Sequence, residues 1–175
     1  MKKLRLLLLD ANIVIELFEL GLWDKVLEHC EVALSRTVAS REASFYVKDG
    51  EQFGIDLAPY EKSAQIRVVE AELAMLRAFR QQFKPNYLER LDPGEAESLA
   101  FLCDSHEPWI ICSSDSIVFR VLGLLRRDEQ GISLEEILQR IGLGRRLGRQ
   151  YSAQFREHWT RLGRQDRIQG FGLRE

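Results

Sequence analysis

Little in this 175-residue chain is available for covalent cross-linking or soft-metal binding. It has three cysteines, Cys30, Cys103 and Cys112, an odd number without C-x-x-C spacing. That excludes a disulfide framework and a zinc-ribbon type of site. The three histidines, His29, His106 and His158, are scattered. No apolar run approaches the roughly 20 residues that cross a bilayer. The longest, Leu6–Leu9, stops at Asp10. Met1-Lys2-Lys3 resembles the start of a signal peptide, but the apolar stretch is too short and no small-residue cleavage site follows. A cytoplasmic, thiol-reduced protein without a membrane partner is expected. A formal net charge of −2 also argues against a uniformly basic nucleic-acid binder. What is present, 45% hydrophobic and 30% charged residues, is the composition of a globular chain with its own core.

The pattern of apolar residues predicts an α/β fold. Leu4–Leu9 reads as a strand buried on both faces, as in the middle of a parallel sheet. Ile13, Val14, Leu17 and Phe18 then recur at helical spacing, and Leu22–Cys30 repeats the pattern. Val32-Ala33-Leu34 and Ile66–Val69 are further short strands. Between them, Lys48-Asp49-Gly50-Glu51 predicts a hairpin turn, because Asp-Gly tolerates the positive φ angles such turns need. Glu70–Phe83 is helical. Asp92-Pro93-Gly94-Glu95 starts another helix, with Asp92 as cap, Pro93 at the first position and Glu95 three residues after the cap. Trp109–Cys112 is a strand and Ile117–Leu125 a helix. Alternating strands and helices argue for a small, mainly parallel twisted sheet flanked by helices. Residues 1–125 form the main domain, with the hairpin inserted at about 44–69.

From Arg126 the composition shifts. Residues 126–175 carry 11 arginines, no lysine and 7 acids, a net of +4, which leaves −6 for residues 1–125. Ser133–Ile141 reads as a capped helix, Gly142-Leu143-Gly144 breaks it, and Tyr151, Phe155, Trp159 and Leu162 form a stripe on a second helix. The last dozen residues are expected to be irregular.

Four acids fall where strands end or helices begin: Asp10, Glu42, Glu95 and Asp115. In a parallel sheet the carboxyl ends of the strands form the ligand crevice. Like charges gathered there raise one another's pKa, and a divalent cation relieves the repulsion. Oxygen ligands without Cys or His select Mg2+ or Mn2+. Each acid also has a plainer reading. Asp10 could cap the following helix, Glu42 could be solvated, Glu95 could complete a capping box, and Asp115 could be a turn residue. Glu97 competes with Glu95. At about 100° per residue, Glu95 shares the face of Leu99 and Leu102, so Glu95 is preferred and Glu97 held in reserve.

These segments resemble the PIN-domain family. Leu6-Leu7-Leu8-Leu9-Asp10-Ala11-Asn12-Ile13-Val14-Ile15 is similar to its opening motif, an apolar strand, Asp-x-Asn and an apolar helix. Ser40-Arg41-Glu42 resembles its second acid, Pro93-Gly94-Glu95-Ala96-Glu97 its third motif, and Ser113-Ser114-Asp115 its fourth, with Ser where Thr is more usual. The resemblance covers residues 4 to about 125. It implies an endoribonuclease dependent on Mg2+ (or Mn2+), hydrolysing RNA phosphodiesters, as in the toxins of VapC-type toxin–antitoxin pairs. RNA, a cognate antitoxin and a second copy of the chain are the partners it implies. Asp10, Glu42, Glu95 and Asp115 would be catalytic and hold the metal, with Asn12 and Ser113 orienting the carboxylates. The long hairpin region and the Arg-rich extension depart from a minimal toxin.

Two other functions compete. A phosphatase of the haloacid-dehalogenase type would use Asp10 as nucleophile, but it needs a second Asp where Asn12 stands. Alternatively, the extension is a nucleic-acid-binding module of a regulatory protein whose acidic site is vestigial. Ser133–His158 loosely resembles a helix-turn-helix that places Arg145, Arg146 and Arg149 near the second helix's start, against phosphates. Against that stands a helical hairpin docked by Tyr151, Phe155 and Trp159, its arginines merely solvated.

Overall fold

In the computed structural model, which describes residues 3–8 and 10–174, the Leu-rich opening segment is the middle strand of a parallel sheet. Strand β1 (Leu4–Leu8) pairs with β2 (Cys30–Ser35) on one edge and with β6 (Ile110–Cys112) on the other. Strand β5 (Ile66–Val69) extends the sheet beyond β2, and β7 (Gly131–Ile132) extends it beyond β6. The order is β5-β2-β1-β6-β7, all parallel. The expected last residue of the first strand, Leu9, lies outside the described residues, as do Met1 and Lys2.

Parallel neighbours require crossovers, and these cover both faces with helices. Helices α1 (Ala11–Glu19), α2 (Trp23–His29) and α7 (Leu134–Arg140) bury Val14, Trp23 and Leu138 against Leu6, Val32 and Leu34 on one face. Helices α4 (Leu73–Gln81), α5 (Pro93–Asp104) and α6 (Ser116–Leu124) bury Phe79, Leu99 and Val118 against Ala33 and Ile111 on the other. The alternation Val32-Ala33-Leu34 thus feeds two cores, which is why the run is continuously apolar. The inserted hairpin of β3 (Phe45–Lys48) and β4 (Glu51–Gly54) turns at Asp49 (φ 52°) and Gly50 (φ 81°), as Asp-Gly predicts. The returning strand ends at Gly54, and α3 (Ala58–Lys62) follows it.

The extension differs most from expectation. Helix α8 (Ala153–Ile168) starts late and runs through Gly163 into the stretch expected to be irregular. Gly163 does not break it because its missing side chain lets α8 lie against α6, and the reverse holds at Gly123. A Cβ on Gly163 would collide with the Arg120 carbonyl, and one on Gly123 with the Thr160 carbonyl. Beside this crossing Asp166 accepts two hydrogen bonds from Arg120 (2.5 and 2.9 Å) and one from Tyr87 Oη (2.7 Å). The extension is therefore packed on the domain. Among the described residues no helix is long and apolar enough to cross a membrane.

Gly163→Ala forces the two helices apart. Overpacking of this kind costs about 1–3 kcal/mol, read as a lower urea midpoint. Gly144→Ala is the control: its Cβ would meet only Gln139, at 3.5 Å, and the midpoint should move far less.

Candidate functional site

The sheet order reverses between β1 and β6, and the crevice outside their carboxyl ends is where a parallel sheet places a ligand site. Asp10 stands at the end of β1 as the N-cap of α1, its Oδ1 accepting from Ile13 N at 2.9 Å. Its Oδ2 accepts from Ser113 Oγ (2.7 Å), Ser114 N (2.7 Å) and Ser114 Oγ (3.2 Å). Asp115 is the N-cap of α6, accepting from Ile117 N at 3.0 Å. Ser113 joins the two acids, because its Oγ also accepts the Asp115 N–H at 3.0 Å. Asn12 is exposed, and its side chain meets no hydrogen-bonding partner among the described residues.

Glu95, in the first turn of α5, is buried with its Oε2 accepting Asp92 N–H at 3.1 Å. Its pKa is pushed up to about 8, first by burial, then by the nearby charge of Asp115 and, more weakly, Asp10 and Asp92. Glu42, at the end of a π-helical turn (Val38–Glu42), has its pKa raised by burial and then by Asp92. The Gly94 N–H counters part of that shift. A Cβ on Gly94 would stand 2.8 Å from Glu42 Oε2 and 2.9 Å from Val38 Cγ2, so these neighbours would have to shift. Glu97 points elsewhere. Its two oxygens accept the N–H groups of Thr37 (3.2 Å) and Ala71 (3.4 Å), pinning the segments after β2 and β5 to α5.

This geometry corrects the expected metal centre. The charge of Asp10 raises the pKa of both Glu42 and Glu95, and that of Asp115 raises the pKa of Glu95, so Asp10 lies near both glutamates and Asp115 near Glu95. Yet among the described residues no three His, Cys, Asp or Glu side chains are grouped so that they could hold a metal ion. The reason is local: each carboxylate is turned onto backbone N–H groups at a helix start, and Glu97 is turned onto two others. The plainer readings of Asp10 as a cap and Glu95 as half of a capping box describe what is seen. The Mg2+ or Mn2+ cofactor, the four-carboxylate ribonuclease mechanism and the toxin role built on it do not fit this site, and no step is derived through a metal.

Tyr151, which the spacing assigned only to an apolar stripe, borders the crevice. Its pKa is pushed up to about 12 by burial and then by the charge of Glu16, with a smaller effect from Asp10. No motif marked it, because the extension brings it there through the tertiary fold. The loose helix-turn-helix alternative is also corrected. Gly142 (φ 74°) ends α7, but α8 begins only at Ala153, capped by Ser152 Oγ on Phe155 N (3.2 Å). Residues 141–152 run between the helices, with Leu143 and Leu147 packed on the core. Arg145, Arg146 and Arg149 therefore lie on this connecting segment, exposed, and not on a recognition helix. No family model, curated protein or solved structure matches the chain.

The raised Glu95 pKa links stability to pH. Unfolded, this carboxyl titrates near 4.5, and in the fold near 8, so between these values the native state holds more of the proton. Stability is full below the lower value and declines as pH rises towards 8, at up to about 1.4 kcal/mol per pH unit. Glu95→Gln keeps the acceptor for Asp92 N–H and removes the charge. It should flatten that decline and be the more stable protein at pH 8, in urea titrations at several pH values.

Proposed function

We propose that this chain is a PIN-like α/β protein that binds nucleic acid through its Arg-rich extension, in a regulatory role and in the cytoplasm, with the acids of its crevice serving as helix caps. One observation carries the reading: Arg145, Arg146 and Arg149 are exposed, and among the described residues none of them is in an ion pair. Other arginines of the extension are engaged within the fold. Arg156 pairs with Glu136 at 2.8 Å, Arg164 with Asp128, and Arg167 donates to the Leu124 carbonyl at 2.8 Å.

The free arginines sit on a segment that is held in place. Leu143 and Leu147 anchor it to the core while the charged residues between and after them stay outside. Arg149 also shares the lining of a concavity of about 550 Å3 with Arg161 and His158, against one acid, Glu157. Fixed cations of this kind suit a phosphate backbone, which contributes affinity without reading sequence. The acidic crevice explains why the whole-chain charge of −2 hid this surface.

Anisotropy of a labelled RNA oligonucleotide tests the reading. The protein should bind in EDTA as well as without it, and affinity should fall as salt rises. The triple variant Arg145→Ala, Arg146→Ala, Arg149→Ala should bind at least about tenfold more weakly. Its slope of log affinity against log salt should be shallower by about 0.7–0.9 for each phosphate that the variant leaves unneutralised. Unchanged affinity in a folded variant, or no binding by the wild type, overturns the proposal.

A further inference from the structure

A second charged cavity lies away from Arg145, Arg146 and Arg149. It has a volume of about 430 Å3, within the range of small-molecule sites, and is bounded by the end of α4, the turn Pro85–Leu88 and the start of α5. Phe83 and Leu91 form an apolar floor, and Arg80, Lys84 and Arg174 stand on the rim with a single acid, Glu89. Among the described residues none of the three cations is in an ion pair.

Two of the three rim cations, Lys84 and Arg174, are held by hydrogen bonds. The C-terminal segment is strapped along residues 82–84 by an antiparallel bridge between Phe83 and Leu173. Arg174 N donates to the Gln82 carbonyl (2.9 Å), Lys84 N to Gly172 O (2.7 Å) and Lys84 Nζ to Gly170 O (2.9 Å). Arg174 itself is fixed by Nε donating to the Phe83 carbonyl at 2.8 Å, which leaves the rest of its guanidinium free for an anion. The turn that brings the strap in needs Gly172, at φ 88°, where a Cβ would run into the Tyr87 ring.

We propose that this cavity binds a small organic anion, an apolar body carrying a carboxylate or phosphate head. The apolar floor takes the body, and Arg80, Lys84 and Arg174 take the head, a division that neither an inorganic ion nor a neutral apolar molecule satisfies.

Fluorescence titration of the full chain with anilinonaphthalene sulfonate, an aromatic anion, tests this. One saturable site is expected, with the uncharged parent phenylnaphthylamine binding more weakly. Arg80→Glu with Arg174→Glu should lower the dye's affinity by about tenfold or more, equivalent to ~1.4 kcal/mol, with the melting curve preserved. Arg80→Glu alone, on α4 and clear of the strap, should give a smaller loss in the same direction. At matched ionic strength, displacement by octanoate identifies a carboxylate ligand and displacement by adenosine monophosphate a phosphate ester. The proposal is overturned if the charge reversals leave the affinity unchanged, if the neutral dye binds equally well, or if inorganic phosphate displaces as effectively as the organic anions.

Discussion

The hydrogen bond from Ser113 Oγ to Asp10 Oδ2, at 2.7 Å, joins the ends of two adjacent parallel strands whose chains then leave in opposite directions. After β1 the chain passes into α1 on one face of the sheet, and after β6 it passes into α6 on the other. Two helix N-termini therefore open at one place, each with N–H groups lacking an intrahelical partner and a partial positive charge. Asp10 and Asp115 answer that requirement, and Ser113 fixes one against the other. The start of α5 adds a third helix end to the same crevice, with Glu95 in its first turn. The convergence of acids follows from the topology: a doubly wound sheet collects helix N-termini at its reversal, and N-termini collect carboxylates.

Such a gathering has an electrostatic cost that can be met in more than one way. A shared cation neutralises the charges if the oxygens can turn towards a common point. Here their oxygens accept from Ile13 N, Ile117 N, Asp92 N and the Gly94 N–H. Backbone donors lower the cost for each acid separately, and the best buried one, Glu95, meets the remainder by holding its proton to about pH 8. Burial is the larger cause of that shift and the neighbouring acids the smaller, so a desolvated, neutral carboxyl is the simplest description of Glu95 near neutrality.

Elements whose periodicity is local were legible in the sequence. The hairpin turn at Asp49-Gly50, the Pro93 helix start and the parallel sheet all follow from neighbouring residues and apolar spacing. The ends of helices in the extension were not. Gly163 reads as a breaker in one dimension and is a packing surface in three, because only the presence of α6 makes its lack of a side chain an advantage. The acids show the same limit in another form. Their positions along the chain predicted one metal site, yet among the described residues no three of them are grouped to hold an ion. Which way each carboxylate turns depends on N–H groups such as those of Thr37 and Ala71, which reach Glu97 from segments distant in sequence.

The arginines of the extension make the distinction most sharply, since spacing treats all 11 alike. Arg156 finds Glu136 twenty residues earlier, and Arg120 of the main domain finds Asp166 in α8, so much of the basic character serves to dock the extension. Among the others, Arg145, Arg146 and Arg149 lie together on the segment between α7 and α8. Gly142 ends α7 with a positive φ, and Leu143 and Leu147 tie down the segment that follows. Arg145, Arg146 and Arg149 have no acid within reach among the described residues. Holding three like charges on a short anchored segment is unfavourable in isolation. The split of the chain into −6 and +4 is therefore not two solvated halves: Asp10, Glu95, Glu97 and Asp115 accept from backbone N–H groups, and Arg145, Arg146 and Arg149 are in no ion pair among the described residues.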